Sequence, residues 1–192
     1  FVEGFGGAGH IMFAKNPSEI DVYNDINEGL YLFFKLLRDE KTKDKLISAI
    51  QLTPYSRQEF YECRDKYDEQ VDDIEKARRF YIKTMQSFSS VGQSWSYSKN
   101  TSRREMSQAV SKFLGNVDDN MLSIIDRLRT IQVEKLDIIQ LIEKYDSVDT
   151  LFYLDPPYIS DTRVSPDVYD KEMPVQKHIE LINTILHIKG KV

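Results

Sequence analysis

Short strand-like apolar runs at both ends of this chain enclose a long stretch of helical spacing. Phe1-Val2-Glu3-Gly4-Phe5 reads as a strand running into Gly6-Gly7-Ala8-Gly9, and His10 to Lys15 then opens a helix. Ile20-Asp21-Val22-Tyr23 is a second short strand pattern closed by Asn24-Asp25-Ile26-Asn27, so the opening is predicted to be βαβ. Leu30, Phe33, Phe34, Leu36 and Leu37 recur at helical period and are expected to be core. From Thr53 to Tyr145 the rhythm changes to helical patterns separated by polar loops. Ser56-x-x-Glu59, after Pro54, and Ser102-x-x-Glu105 both fit capping boxes, with Gly115 as a stop for the second helix. An amphipathic helix is expected from Asp137 to about Tyr145, leading into the strand Leu151-Phe152-Tyr153-Leu154. Beyond Tyr158 come a polar loop, a helix through Ile179, Ile182, Ile185 and Leu186, and a further strand starting at Lys189-Gly190-Lys191-Val192. The fold class is therefore α/β with an inserted, mainly helical subdomain, divided as residues 1–52, 53–145 and 146–192. Beginning inside one strand and stopping at the start of another, the chain reads as a fragment truncated at both ends.

A length of 192 residues suits one main domain with such an insert. No apolar run approaches the roughly 18 residues of a membrane span, and no charged-then-apolar leader precedes the fold, so a soluble protein is expected. Cys63 is the only cysteine, which excludes an internal disulfide and a cysteine-rich metal site and fits a reducing cytoplasm. His10, His178 and His187 are scattered without ligand spacing, and no metal is expected. Between Lys76 and Lys112 eight cations face the single anion Glu105, a local balance of +7 in a chain of net charge −5, so the remainder carries −12. Such a segment is either a solvated face or a phosphate-binding surface.

Two motifs carry chemistry. Phe5-Gly6-Gly7-Ala8-Gly9 is an F-x-G-x-G turn between strand and helix, where missing β-carbons let a nucleotide approach the backbone; a dinucleotide cofactor suits it nearly as well. Asp25, ending the second strand, can accept hydrogen bonds from a ribose or cap the helix that follows. Asp155-Pro156-Pro157-Tyr158 ends the later strand with a carboxylate, two prolines that cannot donate to a ladder, and an aromatic ring. This combination suits methylation of an amino group.

Taken in order, these motifs resemble the S-adenosylmethionine-dependent DNA adenine-N6 methyltransferases of the Dam-like class, also called D12, alpha group. The resemblance rests on F-x-G-x-G at Phe5 to Gly9, Tyr-Asn-Asp at Tyr23 to Asp25, the insert, and Asp-Pro-Pro-Tyr at Asp155 to Tyr158. It implies a Rossmann-like methyltransferase sheet with an inserted helical target-recognition subdomain, acting as a monomer on duplex DNA in a bacterial or phage setting. It further implies that Phe5, Gly7, Gly9, Asp25 and Asp155 bind S-adenosylmethionine, and that a lysine-bearing segment of the family precedes the point where this chain begins. The adenine amine is a poor nucleophile because its lone pair is delocalised into the ring. By accepting its two N–H bonds, Asp155 and the Pro156 carbonyl would draw that pair back onto nitrogen, in line with the sulfonium methyl. Pro157 holds the extended turn, and Tyr158 would stack on the extruded base.

Within the insert, Arg78, Arg79, Lys83, Lys99, Arg103 and Arg104 are candidates for phosphate contacts. The loop from Gln86 to Asn100 holds the only tryptophan, and its Gln and Asn side chains suit adenine edges. Trp95 and Tyr97 are expected either to read or open the duplex or to pack under the loop. Other readings are an amino methyltransferase acting on RNA adenine or protein glutamine, which more often carries Asn at the first tetrapeptide position, an inactive DNA-binding fragment, or a nicotinamide-dependent dehydrogenase.

Overall fold

The computed structural model describes residues 1–88, 92–102, 105–118, 121–158 and 173–192. The polar loop expected at 159–172, with Asp161, Arg163, Asp167 and Asp170, lies outside the described residues. By contacts the chain divides into two compact units, Phe1–Asn27 with Thr130–Val192, and Glu28–Arg129.

The first unit is built on a parallel sheet of β1 (Val2–Glu3), β2 (Val22–Asn24), β3 (Gln132–Glu134) and β4 (Phe152–Tyr153), in the order β3-β2-β1-β4. A short helix, α1 (His10–Ala14), joins β1 to β2. Val2, Val22 and Phe152 supply the buried face of the sheet. Against them pack Ile138, Leu141 and Ile142 from α8 (Ile138–Tyr145) and Leu181 from α9 (Val175–Ile185). Asp137 caps α8 as expected, its side chain accepting from Ile139 N. In α9 the apolar row read from the sequence faces outward in part, because Ile179, Ile182 and Leu186 are exposed while Leu181 is buried. The chain then returns to the sheet edge. Asp146 accepts from the N–H groups of Lys189 and Gly190, and Lys191 pairs in parallel with Leu151.

β3 falls within the stretch read as helical patterns separated by polar loops. Its residues alternate too weakly and stay too exposed to announce a strand, yet Val22, Tyr23 and Asn24 pair with Gln132, Val133 and Glu134. Buried Asn24 joins these strands' ends, donating to the carbonyls of Gly4 and Leu136 and accepting from Leu136 N.

The second unit is helical: α2 (Glu28–Leu37), α3 (Glu40–Gln51), α4 (Arg57–Asp65), α5 (Asp73–Met85), α6 (Gln108–Asp118) and α7 (Met121–Leu128). Its boundaries differ from the division at 52 and 145. The expected apolar row of α2 is buried, but it packs on α5, with Phe33 stacked on Tyr81 at 5.3 Å, and so groups with the helices. Ser56 caps α4 as expected, accepting from Glu59 N at 3.4 Å. The second capping box does not form. Glu105 adopts a positive φ of 57°, α6 begins later with Ser107 Oγ accepting from Val110 N, and Gly115 lies inside that helix.

At the centre of this unit Arg78 bridges α4 and α5, its guanidinium donating to Glu59 at 2.6 Å and to Glu75 at 2.7 Å, with a further bond to Thr53 Oγ1. Those donations hold the Glu75 carboxyl below its ordinary value. A depressed carboxylate contributes stability above its unfolded pKa that is lost as pH falls. We therefore expect Arg78→Leu to cost about 1–2 kcal/mol at pH 7 in urea titrations, the pairs being partly solvated, and the gap to the parent to close on acidification below the ordinary glutamate range. A gap independent of pH would contradict this assignment.

Candidate functional site

The sheet's C-terminal edge gathers the two motifs. Gly4 N donates to Tyr153 O at 3.0 Å, the last ladder bond between β1 and β4, and Gly6 N donates to Asn24 O at 2.8 Å on the other side. Two residues past the first of these bonds the glycine turn begins on one strand and Asp155 stands on the other. Adjacent parallel strands thus end in the F-x-G-x-G turn and in Asp-Pro-Pro-Tyr. In open α/β sheets this edge is where ligands bind.

The turn closes by Gly9 N donating to Gly6 O at 2.8 Å. A β-carbon at Gly6 would come within 2.1 Å of the Tyr23 ring, so this position tolerates only glycine while the tyrosine is in place. Gly7 has φ of 50°, is exposed and has nothing within 4 Å of a notional β-carbon, so open space of the kind a nucleotide approaches lies beside its Cα, while its carbonyl accepts from the Tyr23 hydroxyl. Gly9, with φ of 69°, precedes α1, and Phe5 is half-buried against the sheet's core. Asp25 does more than end a strand. Its Oδ2 accepts from Gly7 N at 2.7 Å and its Oδ1 from Asn27 N at 2.8 Å, so the acid braces the glycine turn, and each oxygen keeps a further lone pair. These features fit an adenosyl group.

Beneath the turn, buried Glu3 accepts from Met12 N at 3.0 Å and so ties β1 to α1. Desolvation pushes its carboxyl up to about 7; the Met12 bond opposes the shift and the nearby Asp25 adds to it.

Asp155 is exposed, Pro156 and Pro157 are half-buried, and Tyr158 is 62% exposed with its hydroxyl 3.5 Å from Asp155 Oδ1. Leu154 anchors the segment by packing into the core, where its side chain fills the space beside Gly4. The carboxylate therefore leaves the sheet rather than pointing into packed interior. An exposed acceptor, a carbonyl on a proline and a free aromatic face together can hold an amine and its ring.

In the helical unit the expected DNA contacts separate. Arg78 and Arg79, expected on a phosphate-facing surface, are instead committed internally: Arg79 pairs with Glu75 at 2.8 Å and donates to Lys66 O. Lys83 lies 4.9 Å from the Tyr67 ring centroid, and Lys99 is exposed. Arg103 and Arg104 fall outside the described residues. Trp95 is half-buried and Tyr97 is 61% exposed, with their rings stacked at 6.0 Å and 15°. Arg57, which the charge count passed over because it lies outside the basic segment, places its guanidinium 4.8 Å from the Trp95 ring centroid. Gln86, read as a candidate for base edges, is wholly buried. Glu3 and Asn24 were likewise not named as site residues, although Glu3 adjoins the glycine motif and Asn24 lies within the Tyr-Asn-Asp of Tyr23 to Asp25.

A family model described as D12 class N6 adenine-specific DNA methyltransferase matches residues 1–191. No curated protein matches the chain.

The raised carboxyl of Glu3 penalises folding once its unfolded form ionises, so the stability present below about pH 4.5 is lost as pH rises through about 7. Glu3→Gln keeps an acceptor for Met12 N and removes the charge. We expect the variant to exceed the parent by on the order of 2 kcal/mol at pH 8, with the advantage vanishing below pH 5 in melting curves taken across that range. An advantage of constant size would show that ionisation is not the cause.

Proposed function

The chain belongs to the D12 class N6 adenine-specific DNA methyltransferase family, and from that premise we propose how its own residues divide the reaction. The reaction is methylation of adenine N6 in DNA. The methyl donor is S-adenosylmethionine, whose sulfonium supplies an already activated methyl group. Gly7 and Gly9 shape its pocket with Phe5, and Asp25 accepts from the ribose while keeping the turn closed. The open space beside the Gly7 Cα and the braced acid next to it support this reading.

Asp155 and the Pro156 carbonyl accept the two N–H bonds of the target amine, concentrating the lone pair on nitrogen; Pro157 keeps the segment extended, and Tyr158 stacks on the base. Adenine in a duplex is paired and buried in the stack, so it must be extruded before these groups can reach it. The observation that carries the assignment is the register of β1 and β4, which ends the glycine turn and Asp155 side by side. The residues' task is alignment and charge placement, for which no metal is needed.

The helical unit contacts duplex DNA. Lys83 and Lys99 add phosphate attraction, with Arg103 and Arg104 as further candidates by charge. Trp95, Tyr97 and Arg57 present stacking surface, and Arg78 and Arg79 act as scaffold. Among the described residues no helix is long and apolar enough to cross a membrane.

Transfer of labelled methyl groups from S-adenosylmethionine to unmethylated duplex DNA by the full-length protein tests the assignment. Asp155→Ala should lower turnover by at least about 100-fold with cofactor affinity within a few fold of the parent. Undiminished methylation by that variant would remove Asp155 from the chemistry.

A further inference from the structure

Gln86 is wholly buried although it stands at the mouth of a polar loop; its backbone N–H closes α5 on Ile82 O, while its side-chain amide and its carbonyl lead to the Trp95 stack. Its side-chain Nε2 donates to Pro54 O at 2.9 Å and its Oε1 accepts from Ser56 N at 3.1 Å. The amide therefore meets the two backbone groups flanking Tyr55 as a neighbouring strand would, and fixes that residue. Tyr55 in turn packs on Trp95 at 5.6 Å, and its hydroxyl donates to Ser96 O at 2.9 Å. The backbone carbonyl of Gln86 accepts from Ser96 N at 2.8 Å. Trp95 is thereby held from both sides, by its neighbour Ser96 and by the ring of Tyr55. Ser87 bridges Trp95 in antiparallel fashion, and Phe88 N donates to Ser94 O at 2.8 Å.

We propose that Gln86 is a positioning residue for DNA recognition: its buried amide sets the Arg57–Trp95–Tyr97 stack in the orientation that meets the duplex. The proposal rests on the reading of the helical unit as the DNA-contacting part. No other side chain of similar size is uncharged at neutral pH and both donates and accepts at this spacing. Leucine keeps the volume and leaves Pro54 O and Ser56 N unsatisfied. Glutamate accepts from Ser56 N but can donate to Pro54 O only when protonated, which burial favours as pH falls.

Trp95 is the only tryptophan, so its emission reports the stack directly. In the full-length protein, Gln86→Leu should shift that emission to the red and raise the apparent KM for unmethylated genomic DNA fragments about tenfold, with kcat and S-adenosylmethionine affinity within about twofold. Gln86→Glu should show both changes at pH 8 and recover toward the parent at pH 6 in emission and in DNA binding. Parent-like emission in Gln86→Leu overturns the positioning role, as does a parallel loss of cofactor affinity, which would signal general unfolding. A shifted emission with unchanged KM for DNA overturns the stack's part in recognition, and with it the reading of the helical unit, while leaving the Asp155 assignment to its own test.

Discussion

The pairing of β1 with β2 on one side and β4 on the other is the constraint on which the catalytic unit depends. Parallel strands end on the same edge, so three loops remote in sequence are delivered together: the glycine turn, the acid after β2 and the tetrapeptide after β4. Val2, Val22 and Phe152 are buried at matching register positions, and sliding any strand by one residue would turn those side chains away from α8 and α9. Packing of the core and placement of the chemistry are thus one requirement. Asn24 reinforces it where the strands end, by joining Gly4 after β1 to Leu136 after β3.

The helical unit solves a different problem, that of carrying excess positive charge without losing its packing. Two of its arginines are spent internally: Arg78 and Arg79 share Glu75, and Arg78 also takes Glu59, so that α5 is tied to α4. Among the described residues around the loop, Lys99 is exposed and the rings of Trp95 and Tyr97 are stacked. On the proposed reading, lysine charge at such a surface supplies salt-dependent attraction and the loop supplies the sequence preference.

Several of these features were legible in the chain because local chemistry demands particular residues. A close backbone approach calls for glycine, and a rigid extended exit from a strand calls for proline, so both motifs stand out before any coordinates are known. β3 was hidden because Gln132, Val133 and Glu134 are largely exposed and bear no apolar alternation. The helical insert was visible as a change of period, yet its limits were not, since the apolar row of α2 says that it is buried without saying against which partner. Counting charge from Lys76 left out Glu75 by one residue, and Glu75 is the anion that neutralises Arg78 and Arg79. Gln86 shows the same limit in a loop, because composition cannot tell which polar residue turns inward. Ser102-x-x-Glu105 has the spacing of a cap, but Glu105 takes a left-handed backbone and the helix starts beyond it.

The central claim is that the glycine turn and the acidic tetrapeptide form one site at one edge, so that a cofactor held by the turn lies against Asp155 and the amine it accepts from. Backbone-amide NMR during titration with S-adenosylhomocysteine tests it most directly, because the probe occupies the cofactor's place without reacting. The account predicts that Gly7, Asp25 and Asp155 shift together along a single binding curve. Saturation that moves the glycine turn and leaves Asp155 unperturbed would contradict it.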